Sequence, residues 1–550
     1  MIRPVQTPVP LRLLSLILIS PFVLFLFFRF VPSSEPFIIG RLASWNALVF
    51  FMPGILLYLL SRYKRIVFHY SLLSQVLMMF LVYLSLHSIL TGYYLQMLTP
   101  LGLLFYLILF SQMSHEKENL KDLVLKISPF LVAWGLTFSF LSRYPVFSFL
   151  DLFGHPHFTG SWLLLFLPLL LTELNLSKGR ILRSVFTGSV LAGAILFLSC
   201  FAQSHFLCLL ALCNVSVFFY HKAPRAYKRF LVWFFIIAAC AFVFFQRADL
   251  LRSIKDRLFI WQLCLQEWNN VPFFGKGMGN FECYYANMLN TKLFKTPFLF
   301  ENTRTIGVEW AHNEFLHSFV EYGIPGLVLA LALCFLTLYQ YVFFNNMKDR
   351  FFYLGLVNLL LYSFVSFPFR MPCSGIFSFL FLSLLALENT EKTFLVIKFD
   401  LKKSANYLFL ETAVLFMLGL VILNYRNTAG LYFFSKAVRQ TPILKTSWLE
   451  KSVQYDPHSK LYSFALGKAY LNSGRFQEAE YAFEKSVQIV PHYACLFGLA
   501  VSKDLLGKTE QAKDLYERVK RIAPDFYPAS HNLDVLLKRV SLENFKRDNQ

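Results

Sequence analysis

Residues 309–326 read EWAHNEFLHSFVEYGIPG and run directly into the apolar stretch LVLALALCFLTLY. Glu309, His312, Asn313, Glu314, His317 and Glu321 gather imidazoles and carboxylates at the mouth of that stretch. Imidazole titrates close to neutral pH, so His312 is suited to general acid–base work. Asn313 stands where a helix N-cap belongs. Glu314, His317 and Glu321 follow at i, i+3 and i+7, on one helix face, where they can orient a substrate or one another. Upstream, Arg257 lies one helical turn before Trp261. Its guanidinium is a planar fork of donors that stays charged and matches a phosphate. Such polar groups persist beside apolar segments when they line a watery cavity.

These residues are positioned by an apolar chain. Of 550 residues 56% are hydrophobic and 15% charged, with 64 phenylalanines, which predicts a polytopic membrane protein rather than a water-soluble one. Apolar runs near 11–30, 45–60, 66–90, 97–112, 128–142, 158–173, 182–201, 205–220, 229–246, 313–343, 352–368, 374–387 and 405–424 predict an all-α bundle of about 12–13 spans. The first run lacks a small-residue cleavage site and reads as a retained anchor. The formal charge of +20 is concentrated in short loops, as the positive-inside rule requires, so no nucleic-acid partner is expected. Counting crossings places SRYKR at 61, SHEKENLKDLVLK at 114, LSKGRILR at 176, HKAPRAYKR at 221, NNMKDR at 345 and EKTFLVIKFDLKK at 391 on the side of the N-terminus, which is therefore expected to be cytoplasmic. The turn FAQSH at 201, the loop at 247–312 and everything after 425 then face the exterior. No CxxC pair or metal-ligand spacing occurs, and no cofactor is expected. Cys264 and Cys283 share the long loop, and the sequence leaves their pairing open.

That loop, about 65 residues long, exceeds a passive connection. Leu258, Trp261, Leu265 and Trp268 recur at helical spacing, predicting a surface helix that NNVPFFGKGMGN ends. Gly275, Gly277 and Gly279 lack the context of a nucleotide-binding loop and predict tight turns. Arg257, Trp261, Pro272, Gly275, Gly277, Gly279 and Phe281, followed by His312, Asn313, Leu316, Glu321, Gly323 and Gly326, form a paired pattern. It resembles the core of the O-antigen ligase and O-antigen polymerase family of integral-membrane glycosyltransferases. DLFGHPHFTGSWLLLFLPLL from Asp151 and SFPFRMP from Ser366 resemble further segments, so the likeness spans roughly residues 150–390.

The resemblance implies transfer of a glycan from a polyprenyl-diphosphate donor to a glycan, lipid or protein acceptor outside the cytoplasm, in a bacterial inner membrane. His312 would be the base and Arg257 the diphosphate ligand. His205, Arg304, Lys276, Asn313, Glu314 and Glu321 would contact substrate. One departure stands out: members commonly carry a Ser-Arg pair where this chain has Ser204 and His205, so His205 replaces the arginine or its work passes to Arg304, Lys276 or Arg252.

Beyond 425 the chain reads as a soluble domain. LEKSVQYDP at 449, FEKSVQIVP at 483 and YERVKRIAP at 516 recur at 34 and 33 residues. This period predicts stacked helical hairpins that resemble tetratricopeptide repeats, either docking a protein partner or capping the loop. The expected organisation is a transmembrane domain at 1–424 and helical repeats at 425–550. The contrasting function is a non-catalytic lipid or glycan transporter or scaffold with repeat-mediated docking. Paired internal repeats, expected of a transporter, are not evident.

Overall fold

The computed structural model describes residues 65–69, 71–91, 117–141, 156–176, 180–200, 247–266, 268–292, 310–343, 347–386, 393–398, 404–437, 442–524 and 526–548, with single positions in 100–107 and Val308. The spans expected at 11–30, 45–60, 205–220 and 229–246 lie outside them. Among the described residues the chain is helical apart from one ribbon, in which β1 (Arg65–His69) pairs antiparallel with β2 (Thr393–Lys398). The ribbon joins two of the segments expected on the cytoplasmic side. The described residues divide into two compact units: one takes the chain up to Ile254 and His312–Asn424, the other Lys255–Ala311 and Tyr425 onward.

The first unit contains α1 (Leu72–Leu90), α2 (Lys117–Leu141), α3 (Pro156–Leu176), α4 (Ile181–Cys200), α7 (Glu314–Phe343), α8 (Met347–Ser363) and α9 (Pro372–Ala386). Among the described residues, Leu72–Leu90, Thr159–Leu176 and Glu314–Phe343 are long and apolar enough to cross a membrane. Helix α3 is the hub. Trp162 to Phe166 are buried on every side, and α2, α4, α8 and α9 pack around them. A helix apolar all round is what a central position requires.

Prolines interrupt three of these helices, and each break finds a polar partner. Pro168 cannot donate to the Leu164 carbonyl, and Asn358 Nδ2 of α8 donates to it instead at 3.2 Å. Pro129 frees the Leu125 carbonyl, which accepts from Ser128 Oγ at 2.8 Å. In α7, Gly323 (φ 67°) and Pro325 open the ladder, and the Tyr83 hydroxyl of α1 donates to the Tyr322 carbonyl at 2.5 Å. A Cβ at Gly326 would sit 2.2 Å from Tyr322 Cβ, so glycine is required there as well. Elsewhere in the unit, Lys121 of α2 meets Asp349 of α8 at 2.6 Å, both fully buried.

The second unit takes helix α5 (Arg247–Gln266) from Lys255 onward; a helix was expected here from the sequence, but its buried face differs from the predicted stripe. Phe259, Ile260, Leu263 and Cys264 are buried, whereas Leu258, Leu265 and Trp268 point outward. Three glycines then turn the chain with positive φ: Gly275 (83°), Gly277 (102°) and Gly279 (78°). Helix α6 (Phe281–Lys292) buries Phe281, Tyr285 and Leu289. Cys264 and Cys283 are free thiols.

Helix α10 (Ser404–Ala437) leads into α11 (Pro442–Tyr455), α12 (Lys460–Asn472), α13 (Phe476–Ile489), α14 (Tyr493–Leu505), α15 (Thr509–Ile522) and α16 (Tyr527–Asp548), each of which packs on the next. Phe483 fills one layer completely. Cβ atoms built on Gly467 and Gly498 would lie 3.0 and 2.4 Å from its ring, so these two glycines make the room it occupies. Tyr516 repeats the same buried role one period later. Helix α6 packs on α15, and a small pocket between loop and repeats is lined by Tyr285, Leu289, Val308, His492, Tyr493 and Ile522. Lys460 of α12 pairs with Glu282 of α6.

Candidate active site

His312 is the one non-glycine residue with positive φ (51°) among the described residues. The left-handed region costs a β-carbon residue roughly 1–2 kcal/mol, so neighbouring contacts must hold it there. Asn313 follows as the helix cap. Its Oδ1 accepts the N–H groups of Phe315 and Leu316 at 3.0 and 2.9 Å, which satisfies two of the donors that a helix start leaves open. The imidazole of His312 stays partly exposed, its centroid 5.2 Å from that of Phe367 in an edge-on arrangement.

Below the mouth, the face of α7 is closed by a residue to which the sequence reading gave no role. Arg370 ends the 3₁₀ turn Pro368–Arg370 between α8 and α9. Its Nε donates to Glu314 Oε2 at 3.0 Å and its Nη1 to Glu321 Oε2 at 2.8 Å. Glu314 Oε1 accepts the Phe369 N–H at 3.1 Å. His317 Nε2 lies 3.0 Å from Glu321 Oε1, and the Arg370 guanidinium sits over the Tyr322 ring at 5.8 Å. Two carboxylates this deeply buried need a cation, and a guanidinium fork can serve both at once. That requirement was the available signal: an arginine at 370, on the same expected side as His312, is the natural counter-ion for two acids on an apolar helix.

The expected substrate residues are thus distributed over both units. His312, Asn313, Glu314 and Glu321 come together in the first, around the turn at 364–371. Arg257, partly buried on α5, and Lys276, whose Nζ lies 6.0 Å from the Tyr284 ring centroid, belong to the second. Within that unit Trp261 Nε1 donates to the Ala311 carbonyl at 2.8 Å, tying α5 to the strand of chain just before His312. His205, Arg304 and Glu309 lie outside the described residues.

The region from α3 through the kink of α7 has a family counterpart: residues 160–331 match the O-antigen ligase family. The chain carries an O-antigen ligase domain. Residues 461–493 and 494–525 each match a tetratricopeptide repeat, and so correspond to α12–α13 and α14–α15. Among curated proteins no relative matches the chain. The O-antigen ligase domain is membrane-associated and of the kind that transfers glycans, and the expected family with C-terminal repeats is the one found. Its match closes within α7, so it contains the Asn313 cap, both buried acids and the Gly323 kink.

Proposed function

We propose that this chain moves a glycan from a polyprenyl-diphosphate donor to an acceptor hydroxyl at the exterior face of a bacterial inner membrane. The lipid tail of such a donor stays in the bilayer, its diphosphate lies at headgroup depth and its sugars project into water. His312 takes the acceptor proton as the acceptor oxygen bonds to the anomeric carbon. The bond from that carbon to the diphosphate oxygen breaks, and its electron pair leaves with the polyprenyl diphosphate. Arg257 neutralises that leaving group, assisted by Lys276, Arg304 and His205; stabilising charge as it develops is often the largest part of catalysis. Asn313, Glu314 and Glu321 shape the acceptor side.

The observation that carries the reading is His312 itself: a partly exposed imidazole, held in a costly backbone conformation, at the mouth of the helix where the O-antigen ligase match ends. Functional groups are where proteins keep such strain. The test is reconstitution of the full chain in proteoliposomes with an undecaprenyl-diphosphate oligosaccharide and envelope glycolipid extract as acceptor. Wild type should release undecaprenyl diphosphate and form a glycosylated product. His312→Ala and Arg257→Ala should lower turnover by at least about 100-fold, the scale of a lost base or charge contact. Undiminished transfer in both variants would refute the assignments.

A further inference from the structure

We infer that the turn at 364–370 is the element that aims His312, and that Arg370 is its anchor. The inference rests on the proposal that His312 is the base. Three consecutive residues of α7's mouth each engage this one turn through a different kind of contact. The His312 ring meets Phe367 edge-on at 5.2 Å. Asn313 turns its cap oxygen to the helix and donates from Nδ2 to the Phe364 carbonyl at 3.1 Å. Glu314 takes the Phe369 N–H on one oxygen and Arg370 Nε on the other. Side chains 312, 313 and 314 therefore cannot shift without the turn, and the turn cannot shift without them.

The turn is stiff in its own right. Phe367, Pro368 and Met371 are buried, the Arg370 N–H reaches the Phe367 carbonyl at 3.2 Å, and Ser374 Oγ donates to the Pro368 carbonyl at 2.5 Å. Arg370 fastens it to α7 at two levels two helical turns apart, Glu314 and Glu321. Both carboxylates are occupied by this fastening, so Glu314 and Glu321 are positioning residues like Arg370. None of the three has to touch the sugar.

Misplacing a base by about 1 Å costs on the order of 100-fold in rate while leaving distant donor contacts intact. Arg370→Gln should therefore lower kcat by roughly 10- to 100-fold with the apparent KM for the lipid-linked donor changed by no more than about 3-fold, the pattern of a lost transition-state interaction. Arg370→Lys keeps the charge but lacks the fork that reaches two acids, and should recover only a minor part of that loss. Phe367→Leu leaves every charge in place and should also lower kcat selectively, which keeps the inference testable if the Arg370 variants fail to fold.

The assay is the proteoliposome reaction described above, with initial rates taken over a range of undecaprenyl-diphosphate oligosaccharide. The deciding comparison is the double variant. If Arg370 acts through the imidazole, Arg370→Gln in the His312→Ala background should reduce kcat no further. Additive losses, or a rise in KM that accounts for the whole defect, would overturn the inference. So would full kcat in Arg370→Gln and Phe367→Leu while His312→Ala is inactive; that result would leave the base assignment standing. An active His312→Ala enzyme would instead overturn the base assignment and this inference with it.

Discussion

His492 makes the packing of the repeats against the loop sensitive to acid. It caps α14, its Nδ1 accepting the Ala494 N–H at 3.2 Å, and it lines the pocket shared with Tyr285 and Leu289 of α6. Only a neutral Nδ1 can accept that bond. Burial, and then the nearby Lys460 cation, lower its pKa from 6.5 to about 4. The folded protein therefore binds this proton less readily than the unfolded chain. The His492 contribution is fully present above pH 6.5, is lost as pH falls from 6.5 towards 4, and is constant below. From pH 7 to 5 the extra proton held by the unfolded chain rises from about a quarter to nearly one, and at about 1.4 kcal/mol per proton per pH unit the loss is slightly under about 2 kcal/mol. That corresponds to roughly a 20-fold rise in the opening equilibrium. Hydrogen exchange on the full chain in nanodiscs, corrected for intrinsic rates, should show that rise in the amides of α14 between pH 7 and 5. His492→Asn supplies a cap that does not titrate and should flatten the response. If α14 is equally protected at both pH values, or if the asparagine variant keeps the same acid sensitivity, the reasoning fails.

Three further outcomes follow from the packing. Gly498→Ala, which sets a methyl 2.4 Å from the Phe483 ring, should destabilise the repeats by about 1–3 kcal/mol, and adding Phe483→Leu should restore part of it; protection of α13 and α14 reads both. Asn358→Ala leaves the Leu164 carbonyl without its donor in the centre of the first unit and should cost about 1–3 kcal/mol, seen as a lower unfolding temperature in detergent. Asn313→Ala removes the cap of α7 and its tie to Phe364, and should cost about 1 kcal/mol together with a measurable drop in transfer rate.

The sequence disclosed what depends on local pattern. Apolar length located α3, α4, α7 and α9 within a few residues of their observed ends, and the 34- and 33-residue spacing located the repeats. The motif glycines were legible because a positive φ or a close approach leaves little choice of residue, as at Gly277, Gly323 and Gly326. Pairing over distance was not legible. The β1–β2 ribbon joins strands more than 300 residues apart, and β1 falls where the sequence suggested the start of a span. No periodicity in either strand announces its partner. Two acids on an apolar helix called for a cation, but the double attachment of Arg370 to Glu314 and Glu321 exists only once the turn at 368–370 meets α7. On α5 the tryptophans drew attention to one stripe, yet the adjacent face carrying Phe259, Ile260, Leu263 and Cys264 is the one covered, and both faces repeat at helical spacing, so the period alone does not choose between them.

Helix α6 lies some 200 residues before the array it packs against, yet Phe281, Tyr285 and Leu289 have their apolar cover in the same unit as α14 and α15. Exchanging the tail for an unrelated one would strip the part of this cover that the repeats supply around Tyr285 and Leu289. A workable graft must therefore carry two separate stretches of chain, Lys255–Ala311 and Tyr425 onward, as a matched cassette.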